Sequence, residues 1–173
     1  QVFWVSFFPD GKHILFEGVE PGRGPRLYVQ EIPAGVPRSI TPEGFTLTAM
    51  TRAVSPDGRS ALAVGAEDGA TWIWPVHGGQ ARRVDAIDPK RERPVRWTAD
   101  GQGLYVREWH VLPFEISRLD LSTGRKTPWK RIAPSDPAGT ADTPLVRLSA
   151  DGDACLYSMD RKLFELYVVD GLR

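Results

Sequence analysis

The chain has 173 residues, 41% hydrophobic and 25% charged, an ordinary balance for one globular domain with its own core. Twenty-two basic residues offset twenty-two acidic ones, which argues against a nucleic-acid or membrane-surface role, since either needs a positive field. A single cysteine, Cys155, excludes an internal disulfide, and no apolar run is long enough to span a bilayer.

The first predicted element lies at residues 6–18, SFFPDGKHILFEG: two short apolar runs either side of an Asp-Gly pair, the pattern of a tight β-hairpin. The phrase returns as AVSPDGRSALAVG, RWTADGQGLYVRE and RLSADGDACLYSM. Its Asp-Gly pairs start at Asp10, Asp57, Asp100 and Asp151, with spacings of 47, 43 and 51 residues. An apolar residue precedes each pair (Phe7, Val54, Trp97, Leu148). A run of three follows: Ile14-Leu15-Phe16, Ala61-Leu62-Ala63, Leu104-Tyr105-Val106 and Cys155-Leu156-Tyr157. A strand apolar on both faces predicts burial between neighbours. Each Asp carboxylate is expected to accept hydrogen bonds within its turn while the Gly takes positive φ.

A third strand is predicted in each unit, at RLYVQEI, TWIWPV, EISRLDL and ELYVVD. In the first three, a PAG, HGG or STG turn leads to a short fourth strand, at VPRSIT, QARRVD and RKTPWKRI, with Ile40, Val84 and Trp129 in equivalent places. Fifteen prolines, seventeen glycines and no amphipathic helical stretch point the same way. The fold class is therefore all-β: a β-propeller of four-stranded antiparallel blades, four units being present and the last lacking its outer strand. The approximate blades are 1–46, 47–88, 89–139 and 140–173, one domain or part of one.

The phrase Ser-Pro-Asp-Gly-Lys/Arg, an apolar strand, LYV, a Gly turn and PRSIT together resemble the TolB-like β-propeller repeat. The likeness covers the whole chain and is looser in the third and fourth units, where Ala99 and Ala150 replace Pro9 and Pro56. The ending LYVVDGLR resembles the C-terminal propeller of large bacterial signalling proteins of Ser/Thr-kinase or winged-helix type. That resemblance implies a C-terminal sensory or scaffold part of a larger protein, with a weak lean to a periplasmic or extracytoplasmic place. The start at Gln1 reads as an excised or processed piece. Three closures stay open: an arc of a larger propeller, a four-bladed ring with one open blade, or a homodimer completing the ring.

Chemistry is sparse. There is no Gly-x-Ser-x-Gly elbow, and His77 of VHGGQ aligns with turn residues Pro33 and Ser122. His13, His77 and His110 lie in different units without ligand-spaced partners, and no Gly-rich phosphate loop occurs. No catalytic, metal or cofactor residues are therefore assigned. Trp97, Trp129, Trp72, Trp74 and Trp4 read as core. The connection REWHVLPFE places Trp109 and His110 on the face that links the blades, where an aromatic among polar neighbours suits recognition. Glu20, Arg23, Glu67, Asp68, Arg91 and Arg93 are expected at the same rim. The expected function is a non-catalytic module binding a protein or small polar ligand, with no nucleic acid and no membrane insertion. The alternative is the gating propeller of a prolyl-oligopeptidase-like hydrolase.

Overall fold

The computed structural model describes residues 2–47, 52–109, 111–136, 138–142, 145–149 and 151–162, and among these no helix occurs. The strands are β1 Val2–Phe7, β2 His13–Gly18, β3 Arg26–Glu31 and β4 Arg38–Ser39 in the first blade. The second blade holds β5 Phe45–Thr46, β6 Ser60–Gly65, β7 Thr71–Pro75 and β8 Arg82–Arg83. The third holds β9 Glu92–Trp97, β10 Gly103–Glu108, β11 Phe114–Asp120 and β12 Lys126–Ile132. Each is a four-stranded sheet with its strands in chain order, which is the meander of a propeller blade. In the fourth unit β14 Val146–Leu148 pairs with β15 Cys155–Tyr157, and β13 Thr140–Asp142 with β16 Asp160–Arg161. The predicted strand ELYVVD lies outside the described residues.

The hairpins form where turn chemistry demands them. Gly11, Gly58, Gly101 and Gly152 have φ of 67°, 72°, 69° and 87°, and each donates its N–H to the carbonyl three residues back. Asp10 Oδ1 accepts the N–H groups of Lys12 and His13 at 2.8 and 3.1 Å. In the next two turns a hydroxyl two residues before the Asp joins in: Ser55 and Thr98 donate to Asp57 and Asp100 at 2.6 and 2.5 Å. Ser149 donates to Asp151 in the same way. Phe8 holds that position in the first unit, and there His13 Nδ1 meets Asp10 Oδ2 at 2.6 Å instead.

The second strands are buried on both faces, as their apolar runs predict. Leu15, Ala61, Leu62, Ala63, Leu104 and Val106 are all at most 3% exposed. One core cluster unites the first three blades through Leu15, Leu27, Leu62, Ile73, Trp97 and Leu104. The opposite face of the third blade, with Phe114 and Ile116, packs on Val146 and Leu148 of the fourth unit. The strand alternation of β11 makes this double use: Phe114 and Ile116 face one neighbour and Leu119 the other. Leu156 departs from the rule at 65% exposure, and Trp4, expected in the core, is 45% exposed on β1. Both belong to the first and last sheets of the arc, which have a blade on one side only among the described residues.

Polar contacts also cross the seams. Glu17, buried in β2, accepts the Leu47 N–H at 2.9 Å. Arg38 donates to the Val76 carbonyl at 2.8 Å and Arg82 to that of Leu121 at 3.0 Å. These bonds hold successive blades in one register and so set where their inner strands converge.

Candidate functional site

The predicted rim residues fall into three local groups, one per blade. Glu20 and Arg23 occupy the β2–β3 connection and pair at 3.3 Å, and Arg23 and Arg26 both reach Glu43 of the first inter-blade link. Hydrogen bonds from the Gly24 N–H and Arg26, with both Arg charges nearby, hold the Glu43 carboxyl below its usual range. Asp68 accepts the Ala70 N–H at 2.9 Å and pairs with Arg83 at 3.5 Å, while Glu67 beside it is exposed.

On the third blade, the Arg91 carbonyl accepts the Trp109 N–H at 2.8 Å. The Arg93 guanidinium donates to the Pro89 and Glu92 carbonyls at 2.5 and 2.7 Å. The Arg107 guanidinium, on a residue only 4% exposed, lies 4.3 Å from the Trp109 ring centre and 5.5 Å from that of Phe114. Trp109 thus folds onto its own blade, half-buried over a cation. His110 lies outside the described residues.

Among the cavities of the described residues, two bear on the candidate site. A groove of about 510 Å³ between the first two Asp-Gly turns brings His13 and His77 to one surface, with Asp10, Glu31, Arg38 and Asp57 also on its walls. Among the described residues no group of three or more His, Cys, Asp or Glu side chains is placed to hold a metal ion.

The larger cavity, about 650 Å³, runs along the inner strands and takes walls from all four units. Its polar side is built by Arg52, Arg96 and Arg147 with Ser6 and Ser55, and among the described residues no carboxylate lines it. Arg52 and Arg96 sit on neighbouring inner strands joined by a parallel bridge. Arg96 is buried at 8% exposure, its Nε bonded to the Trp97 carbonyl at 3.1 Å and its Nη1 to that of Leu148 at 2.9 Å and to that of Ser149. Arg52 and Arg147 are exposed. Burial, and then the charge of Arg52, lowers the pKa of both Arg96 and Arg147 from the ordinary guanidinium value. The three guanidiniums thus stand around one concavity, with the carboxylate of Asp151 within electrostatic reach of Arg96.

Sequence reasoning missed this trio. The signal was an arginine four or five residues before the Asp in three of the four units, on the strand that a propeller turns toward its axis.

No protein-family model matches the chain, and no curated protein matches it. Solved structures do. TolB from Acinetobacter baumannii superposes with a TM-score of 0.65 at 24% identity, over 91% of this chain and 37% of that one. A prolyl endopeptidase gives 0.59 at 20% identity, over 92% of this chain and 26% of that one. A chain of the nidogen–laminin complex gives 0.59 at 13% identity, over 91% and 56%. The fold is a TolB-like β-propeller, and the chain spans well under two thirds of the length of each of these three.

Proposed function

We propose that the chain is a non-catalytic binding module, a rigid arc of blades that holds a polar ligand against its inner strands. The observation that carries this reading is the cavity of about 650 Å³ with walls from all four units. Packed sheets fix the positions of its lining side chains, so a ligand meets a preorganised surface and little ordering is lost on binding. The rim groups are largely engaged within their own blades and supply a framework around that surface.

The test is a thermal-shift panel of anionic, neutral and cationic small molecules and short peptides, run beside ester and peptide hydrolysis assays of the same panel. A saturable shift with at least one member and no turnover supports the module. Turnover, or a flat response to every member, overturns it.

A second reading is the propeller part of a prolyl-oligopeptidase-like hydrolase, and it draws on the likeness to a prolyl endopeptidase. Immunopurification of the native polypeptide, followed by assay for cleavage after proline, separates the two. Copurifying activity on a longer chain favours the hydrolase, and a longer chain without it favours the module.

A further inference from the structure

We infer that the two open faces at the ends of the blade arc dock on each other between two copies of this chain, the first blade of one copy receiving the fourth unit of the other. The inference does not depend on what the inner cavity binds.

The first observation compares equivalent residues. Phe7 stands opposite Ile14 in the first unit, as Val54 stands opposite Ala61, Trp97 opposite Leu104 and Leu148 opposite Cys155. Residues opposite each other in an antiparallel pair share one face of the sheet. In the later three units this position is at most 8% exposed and shares a core cluster with the preceding blade. Phe7 is 66% exposed, and Val5 beside it on the same face is exposed too. Facing the inner cavity does not explain this, since Val54 and Trp97 line the same cavity and are buried. Phe7 lacks a sheet in front of it. Only the centre of its face is shielded, where the Phe16 and Tyr28 rings stack at 5.4 Å.

The second observation is the converse at the other end. Leu15 and Leu62, the middle residues of their apolar runs, are fully buried in the core of the first three blades. Tyr105 holds that place in the third blade and packs with Val146 and Leu148 of the fourth unit. The middle residue therefore points to the blade that follows. Leu156 holds the place in the fourth unit and is exposed. A chain closed on itself would bury Phe7 and Leu156 together, and both stand open.

The occupant follows from the repeat. Each inner seam sets the middle residue of one second strand against the apolar face of the next blade. Among the described residues one copy has an uncovered face of each kind, so a second copy supplies both partners at once, head to tail, at two identical seams. Two four-unit arcs give a blade number within the closed-propeller range of about four to eight. The strands β1, β2 and β3 are each six residues long. At about 3.3 Å per residue and about 4.8 Å between strands, their face covers about 300 Å². Two seams, each buried from both sides, remove about 1,200 Å² from water, where the range of specific interfaces begins.

The test is sedimentation velocity of the 173-residue chain over a wide concentration range. The expected result is a reversible dimer of twice the 19.2 kDa of one chain. Phe7→Asp and Leu156→Asp each spoil one end and should each weaken dimerisation by about tenfold or more. Val36→Asp, at an exposed valine in the β3–β4 turn, should leave it unchanged. An equimolar mixture of the two end variants regains one intact seam, because the first keeps its fourth-unit face and the second its first-blade face. The mixture should therefore associate more tightly than either variant alone.

A chain that stays monomeric at every concentration overturns the inference and gives the two faces to another partner. A dimer that only Phe7→Asp weakens overturns it as well, since that dimer pairs first blades with each other. So does equal weakening by Val36→Asp. Should an aspartate variant fail to fold, Phe7→Ser or Leu156→Ser replaces it, with the same order expected.

Discussion

The indole Nε1 of Trp97 donates a 3.0 Å hydrogen bond to the backbone carbonyl of Ala53, across the seam between the second and third blades. Both residues are at most 5% exposed, so neither partner has water to fall back on. The bond orients the third inner strand against the second directly beside Arg52 and Arg96, and so joins fold to candidate site.

Trp97→Phe keeps the aromatic ring and removes the donor, leaving the Ala53 carbonyl buried and unpaired. The expected loss of stability is about 1–3 kcal/mol. Urea unfolding checks it, and an unchanged midpoint would show that the bond contributes nothing net.

Gly152 and Gly11 occupy equivalent turns, yet alanine should be tolerated differently at each. Both have positive φ, which costs a non-glycine residue about 1–2 kcal/mol. A Cβ at Gly11 meets nothing within 4 Å, whereas one at Gly152 would stand 2.4 Å from the Tyr105 hydroxyl oxygen. Gly152→Ala should therefore unfold at lower denaturant than Gly11→Ala. Adding Tyr105→Phe to Gly152→Ala should recover part of the difference.

Trp109→Ala should lower stability by about 1–2 kcal/mol, because the buried Arg107 guanidinium loses the nearer of its two aromatic rings and keeps only Phe114. A residue serving a partner alone would leave the melting temperature where it was. Thermal unfolding of the variant decides between the two roles.

Acid should destabilise the hairpins in a defined window. Hydrogen bonds to Asp57, Asp100 and Asp151, from hydroxyls first and backbone N–H groups next, lower each pKa below 3.8. The Lys12 N–H and then His13 do the same for Asp10. Asp120, capped by the Ser122 hydroxyl and by the N–H groups of Thr123 and Ser122, falls to about 2. A depressed folded-state value means that the stabilisation is complete above the unfolded value and lost as pH falls through the folded one. The melting temperature should hold down to about pH 4 and then drop toward pH 2. Replacing Asp57 and Asp100 together with Asn should flatten that drop.

The blade hairpins were legible because their causes are local. An Asp-Gly pair sets a turn whatever surrounds it, and Leu15, Leu62 and Leu104 follow each pair at nearly constant distance. The Trp129 column was less faithful: the pairing of β11 with β12 shifts between Ile116 and Ser117, and Trp129 sits at that irregularity, edge-on to Tyr105 at 5.3 Å. The exposure of Trp4 and Leu156 was not legible at all, since an apolar strand reads alike whether or not a second sheet covers it.

The sequence by itself determined the all-β blade, its turns and its buried second strands, because turn chemistry and strand alternation act within a few residues. Only the tertiary structure decided that Trp109 lies over Arg107, that His13 and His77 share a groove, and that Arg52, Arg96 and Arg147 line one cavity. Trp109 follows Arg107 by two residues, and only the folded end of their strand shows which way its ring turns. The other residues are distant in the chain, and their meeting depends on the stacking of whole sheets, where core packing and seam bonds such as Trp97 to Ala53 set how one inner strand stands beside the next.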